Sequence, residues 1–230
     1  MRPTGWALLA VGASACATLP VSEPDEWLAY PGGDASPTPH SPGEAAVALA
    51  QGWVGARTLP ALRPWGLPDD CTGLVRLAYA PLGIALLGAE ALATDNGVTA
   101  IYRHAVAAHA LHRQTPAPGD LVFFAETYDR NHDGKRNDGL THVGLVERVE
   151  PSGVVVFLHR VTSGVERSRL FLQRPGQSRG PSGDVWNDVL RAARGRSRAY
   201  LTGELFAAYA SAAALAAGVP VGPLAQGGSP

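Results

Sequence analysis

The chain has 230 residues, with 19 Lys and Arg against 20 Asp and Glu for a net charge of -1. A chain without a basic excess has no electrostatic hold on a polyanion, which argues against nucleic acid as its main partner. Its length suits one core with appendages, and its two cysteines, far apart and differently surrounded, imply no disulfide framework.

Arg2, the apolar run from Trp6 to Val11 and the small-residue box Ala13-Ser14-Ala15-Cys16 read as a signal segment over residues 1–16. The box ending in Cys is of the bacterial lipoprotein type, although Ala13 stands where Leu is usual. Cys16 is then expected to carry lipid and to tether the mature chain to a membrane; an ordinary signal peptide cut near Ala15 is the alternative. Either way the run is too short to span a bilayer. Residues 17–40, rich in Pro, Ser, Gly and Asp, read as an exported tether.

Ser41-Pro42-Gly43-Glu44 is a helix start: Ser caps, Pro takes the first helical position, and Glu reaches back from the third. That helix is expected to run to about Gln51. Thr58 to Pro68 is too rich in proline for a helix or a central strand and is expected to be a loop. Asp70 then caps a helix opened by Cys71, which shares a face with Leu74, Val75 and Ala78, and Gly73 adds room for close approach. Pro81 and Gly83 interrupt. A second helix is expected after Asn96-Gly97, with Val98, Ile101, Ala105, Ala108 and Leu111 on one face until Pro116.

The second half changes period. Leu121 to Phe124, His142 to Val149 and Val154 to Val161 are β-branched and aromatic runs, the last two joined by Pro151-Ser152-Gly153, and a shorter strand is expected near Val165 to Leu172. Helices followed by an antiparallel meander make an α+β domain over residues 41–174, with the cysteine helix packed on the sheet. Beyond a loop over residues 175–183, Asp184 is expected to cap a helix carrying Trp186, Val189, Leu190 and Ala193, and Thr202 another carrying Leu205, Phe206 and Tyr209. Residues 175–217 are thus expected to be a C-terminal helical extension packed on the core, and 218–230 a tail.

A thiol at a helix start meets the positive end of the dipole and unpaired N–H groups, which favour the nucleophilic thiolate. A free Cys on an apolar helical face is otherwise a small core hydrophobe. His142 is the candidate base, placed at a strand start from which its side chain can face the cysteine helix. His159 on the next strand is the candidate to orient its ring.

The succession Asp70-Cys71-Thr72-Gly73, then Pro118-Gly119-Asp120-Leu121-Val122-Phe123-Phe124, then His142-Val143-Gly144-Leu145, then His159 resembles the NlpC/P60 family of papain-like cysteine peptidases. The resemblance spans about residues 45 to 170. It implies a papain-like fold and catalytic Cys71, His142 and His159. It also implies hydrolysis of amide bonds in peptidoglycan stem peptides, usually the bond after D-glutamate at the γ-carboxyl, and no required cofactor. Asp70, Thr72, Arg63 and Trp65 become candidate substrate-binding residues. Thr72 replaces the family's usual Ser and keeps the hydroxyl; Arg63 stands where the family commonly has a cleft-lining Tyr, which leaves substrate preference open. The expected protein is a monomer, lipid-anchored in the bacterial envelope and facing the periplasm or cell wall. An amidase or acyltransferase on another substrate, or a non-catalytic envelope lipoprotein with zinc on Cys71, His142 and His159, are the alternatives.

Asp129, Asn131, Asp133, Lys135, Asn137 and Asp138 follow the alternate-position pattern of a calcium loop, with Gly134 sixth but Leu140 where the bidentate Glu belongs. A structural Ca²⁺ that steadies His142 is one expectation, and a solvated turn the other. His104, His109 and His112 are read as a wet helical face, and Arg191, Arg194, Arg196 and Arg198 as solvated.

Overall fold

Ser41 starts the first helix as its side chain suggests. In the computed structural model, which describes residues 39, 41–195 and 197–217, Ser41 Oγ accepts from the Glu44 N–H and Glu44 returns its carboxylate to the Ser41 N–H, both at 3.1 Å. This reciprocal cap opens α1, Pro42–Gln51, which buries Ala46, Val47 and Ala50. The signal segment, nearly all of the tether, Cys16 and the tail lie outside the described residues.

The proline-rich stretch is not wholly loop. Pro60–Trp65 forms a 3-10 turn, which tolerates Pro60 because a first-turn N–H has no partner to lose. Leu62 fixes that turn by inserting beside Leu59, Leu74, Leu77 and Val165. The cysteine helix α2, Cys71–Tyr79, follows with Asp70 as its cap. Helix α3, Gly97–Ala107, is capped by Asn96 but stops short of the expected Leu111. His109 adopts a left-handed φ of 51°, and Ala110 and His109 donate to Ala105 and Val106, the paired bonds of a Schellman ending. Leu111 is thereby released into strand β1, Leu111–His112.

The expected meander is present as β2 (Leu121–Ala125), β3 (Leu140–Val149), β4 (Val155–Val161) and β5 (Gly164–Leu170), all antiparallel. The residues after 174 differ from expectation. Instead of a helix after Asp184, β6 (Val189–Arg191) pairs with β7 (Tyr200–Leu201). The reason lies in Asn187 and Asp188: the buried Asn187 amide bonds the backbone of Phe171, Arg174 and Gln177, and Asp188 accepts from the Arg169 N–H. These bonds hold the segment extended against the end of β5.

Thr202 caps nothing, because its hydroxyl donates to the Arg169 carbonyl at 2.6 Å. The helix there, α4, is the single turn Thr202–Leu205, and Phe206–Ala210 form strand β8. Phe206, Ala208 and Ala210 alternate with Ala207 and Tyr209, so the run also suits a strand, and the open edge of β2 decides the matter. The sheet order is β1-β8-β2-β3-β4-β5. A true helix, α5 (Ala212–Ala217), ends the described chain and buries Leu215 in the core that also holds Ala46 and Ala50 of α1.

Alternation divides the sheet cleanly. Leu121, Phe123, Val143, Leu145 and Leu158 face α1, α2 and α3. Val122, Phe124, Val146 and Phe157 face the other way, together with Tyr209 of β8, and Leu205 of α4 packs on them there. The chain is therefore a mixed helix and antiparallel-sheet fold whose two faces are covered by its two ends.

Candidate active site

The start of α2 is held from three sides. Asp70 Oδ1 accepts from the N–H of Thr72 at 2.8 Å, from that of Gly73 at 3.0 Å, and from the Thr72 hydroxyl at 2.7 Å. A Cβ on Gly73 would lie 1.7 Å from the Pro68 carbonyl oxygen, so only glycine lets the approach segment cross this close. Arg160 ties the same segment to β4: its Nε donates to Asp69 Oδ1 at 2.9 Å and its Nη2 to the Arg57 carbonyl at 2.8 Å, with Nη1 on the Val161 carbonyl. Sequence reading overlooked Arg160, since an arginine on a strand gives no sign of a partner 91 residues away.

Helix α2 packs on both β3 and β4. The ladder between those strands runs from Val149↔Val155 only as far as Leu145↔Leu158, so residues 140–144 continue beyond it. At that open end Cys71 lies against β3, near enough for the backbone N–H of Val143 to favour its thiolate. Val143, not His142, is the β3 residue whose side chain packs among the helices. The His142 ring instead stands beside Phe124 and against His159, on the other side of the strand. The expectation that His142 faces the cysteine helix is corrected to this extent: the ring and the thiol come together as walls of one cavity at the end of the strand. That cavity, about 620 Å³, is lined by Cys71, Thr72, Asp70, Thr141, His142 and Arg160 among others.

Behind His142 runs a chain of side chains. His142 Nε2 lies 2.9 Å from His159 Nδ1, and His159 Nε2 lies 3.0 Å from Ser168 Oγ. The hydrogen assignment that leaves His142 Nδ1 free to take a proton has His142 donating from Nε2 to His159, and His159 donating from Nε2 to Ser168. His142 Nδ1 is then the unprotonated nitrogen. All three residues are buried, at 8%, 2% and 8% exposure, so no water competes for these bonds in bulk. Ser168 was not among the sequence candidates; one serine in a strand of charged residues carries no signal of its own.

Burial sets the charges. It pushes the Cys71 thiol up to about 11 from an ordinary 9.0; the N–H of Val143 pulls it back, while the Asp70 carboxylate pushes it further. The same burial drives His142 down from 6.5 to about 4, opposed by Asp70, and holds His159 well below its ordinary value. The ionised resting sulfur expected from the helix dipole is therefore not favoured. Desolvation outweighs the dipole, and the capping carboxylate that builds the helix start also repels a thiolate. Both shifts favour a neutral thiol and a neutral imidazole at rest, a pair that reacts by moving the proton as the sulfur attacks.

Of the other candidates, Asp70 and Thr72 line the cavity but are spent on each other as cap and hydroxyl donor. Arg63 and Trp65 sit on the 3-10 turn, exposed, and are not among the residues lining this cavity. Thr127, Tyr128 and Asn96 are, and sequence reading did not select them. Thr127 joins Thr141 through its N–H at 2.8 Å, and Asn96 donates to the Leu140 carbonyl at 2.9 Å, so both brace the start of β3.

The calcium-loop candidates form an exposed loop between β2 and β3. Asp129 accepts from the Gly134 N–H, Asn131 from Asp133, Asp133 from Lys135 and from the Asn137 amide, and Asp138 from Asn131. Among the described residues no three His, Cys, Asp or Glu side chains converge as a ready metal site. For zinc on Cys71, His142 and His159 there is a further obstacle: the two rings spend one nitrogen each on one another. His112, expected on a wet helical face, is instead on β1 and bonds Asp120 at 3.1 Å.

No protein-family model and no curated protein matches the chain. Among solved structures, that of NlpC1 from Trichomonas vaginalis is 22% identical, covering 57% of this chain and 40% of that one with a TM-score of 0.36. The chain thus spans less than half the length of that protein, and a likeness this distant carries no weight for the chemistry.

Proposed function

We propose that the chain is a cysteine hydrolase of NlpC/P60 type with a papain-like arrangement, cutting amide bonds in peptidoglycan stem peptides. The observation that carries the reading is the line His142–His159–Ser168 ending at a cavity that the Cys71 end of a capped helix also lines. The substrate class comes from the motif resemblance alone. In the reaction, the Cys71 proton passes to His142 Nδ1 as the sulfur bonds to the carbonyl carbon. The backbone N–H of Cys71 is the expected donor to the oxyanion. Collapse breaks the C–N bond, with the His142 proton leaving on the amine, and water then hydrolyses the thioester with His142 as base again. His159 accepts from Nε2 throughout, which keeps Nδ1 aimed at the cavity and supports the imidazolium when it forms.

The usual bond of the resembled family, after γ-D-glutamate, is the expected one, acted on by a monomer tethered through lipid on Cys16 in the bacterial envelope. A second reading has Cys71 as an inert core thiol, favoured by the burial that raises it to about 11. Purified cell wall separates the two. Wild-type protein is expected to release fragments bearing new amino termini on the stem peptides, and Cys71→Ala to release none; equal release by both, or none by either, would leave the inert thiol standing.

A further inference from the structure

Five buried side-chain polar atoms among the described residues have no hydrogen-bond partner, and three of them, Glu126 Oε2, Asp129 Oδ1 and Asp138 Oδ2, fall within one loop of 13 residues. All three are carboxylate oxygens. Asp138 is only 8% exposed, and none of the three residues is in an ion pair among the described residues. A dry, bare carboxylate oxygen is among the costliest groups a protein can hold, and a cation bound by the loop would answer that cost. Arg136 of the loop does not answer, since it lies over the Tyr200 ring at 4.4 Å.

The other oxygen of each carboxylate is already bonded to the loop's backbone. Asp129 Oδ2 accepts from the Gly134 N–H at 2.9 Å and Asp138 Oδ1 from the Asn131 N–H at 3.1 Å, so both groups are turned across the loop toward each other's neighbours. Glu126 Oε1 accepts from the Gly139 N–H at 2.8 Å, which sets its carboxylate at the loop's base. We propose that the loop of residues 126–138 is a binding site for Ca²⁺, with Asp129, Asn131, Asp133, Asp138 and the Lys135 carbonyl as the oxygen ligands. Asp138 takes the place of the glutamate that Leu140 cannot supply. Hard oxygen donors with no nitrogen or sulfur select calcium over transition metals, and an irregular, flexible set selects it over magnesium. As it stands the loop presents two free carboxylates; Asp133 joins by giving up its bond to the Asn137 amide at 2.8 Å.

Occupancy would bear on the cavity at two points. Tyr128, which lines it, directly precedes Asp129, and Thr141 and His142 follow four residues of the loop's end. The binding itself does not depend on the hydrolase reading and is read without any substrate. With only a monodentate acid in the glutamate's place, affinity is expected in the range of extracellular modules, a Kd of about 10⁻⁴ to 10⁻³ M.

Calorimetric titration of the EGTA-treated full chain with CaCl₂ is expected to give one site per chain and a rise in melting temperature that MgCl₂ does not reproduce. Asp129→Asn with Asp138→Asn, isosteric and already bonded through the retained oxygens, is expected to weaken Ca²⁺ binding at least about tenfold. Its circular dichroism spectrum in EGTA should match that of wild type. Absence of heat and of any melting shift with up to 10-fold the expected Kd would overturn the site. So would an equal response to Mg²⁺, or undiminished binding by the double variant. Should that variant not fold, Asp138→Asn alone is held to the same criterion.

Discussion

The rings of His142 and His159 stand edge to face, with centroids 5.1 Å apart and planes at 84°, and one hydrogen bond of 2.9 Å joins them. A perpendicular ring can offer its Nδ1 lone pair along the N–H it accepts, and in the tautomer proposed for catalysis this leaves Nδ1 of His142 bare. His159→Leu keeps bulk but removes that acceptor. It is expected to lower kcat on cell-wall substrate by about 10²-fold or more with KM little changed, because the ring loses its working tautomer. An unaltered kcat would mean that His142 is oriented by something else.

Acid should unfold the protein early. An unfolded His142 takes up a proton near 6.5, whereas the folded ring refuses it until about 4, so the unfolded state binds more protons between those values. Stability is therefore full above pH 6.5 and falls as pH drops toward 4, by about 3 kcal/mol from this residue. His159 shifts in the same direction and steepens the loss. Denaturant titrations at pH 7 and pH 4.5 test this, and His142→Gln should flatten the difference.

Alkylation reports the state of the sulfur. With the thiol pushed up to about 11, the rate of reaction with iodoacetamide is expected to rise about tenfold per pH unit from neutrality until it nears that value. A rate already level between pH 5 and 8 would reveal a thiolate paired with an imidazolium at rest, and the neutral-pair account of the resting site would fall.

Gly73 is the tightest point beneath the start of the Cys71 helix. An added methyl would overlap the Pro68 carbonyl oxygen, which is backbone and cannot swing aside. Gly73→Ala is expected to cost about 3 kcal/mol or to prevent soluble expression. Thermal melts against wild type decide it; a loss under about 1 kcal/mol would show that the approach segment yields.

Much of this architecture could be read from side chains that act locally. Ser41 with Glu44, and Asp70 before Cys71, announced their helices because a cap needs only neighbours three residues away. The four strands of the meander were visible through alternation, and Pro151-Ser152-Gly153 through its turn chemistry. What escaped depends on distant partners. Phe206 to Ala210 satisfies two periodicities, and only the vacant side of β2 chooses between them. Asn187 looks like a helix residue until the three carbonyls it bonds are in place. In the site, Cys71, His142 and His159 were legible from motif order. Ser168 and Arg160 were not, since their meaning lies in contacts across the sheet, and the resting charge of the sulfur was misjudged because burial cannot be seen in a helix cap.

The position of β8 between β1 and β2 has a temporal consequence. During synthesis the segments bearing Cys71, His142 and His159 all emerge while β2 still lacks its final neighbour, and that neighbour arrives only with residues 206–210. Until then one margin of the nascent sheet stays open to any passing strand. A stretch made late in the described chain is what covers that side of the sheet behind Cys71, His142 and His159, and a chain stopped near residue 174 would leave that margin permanently unsealed.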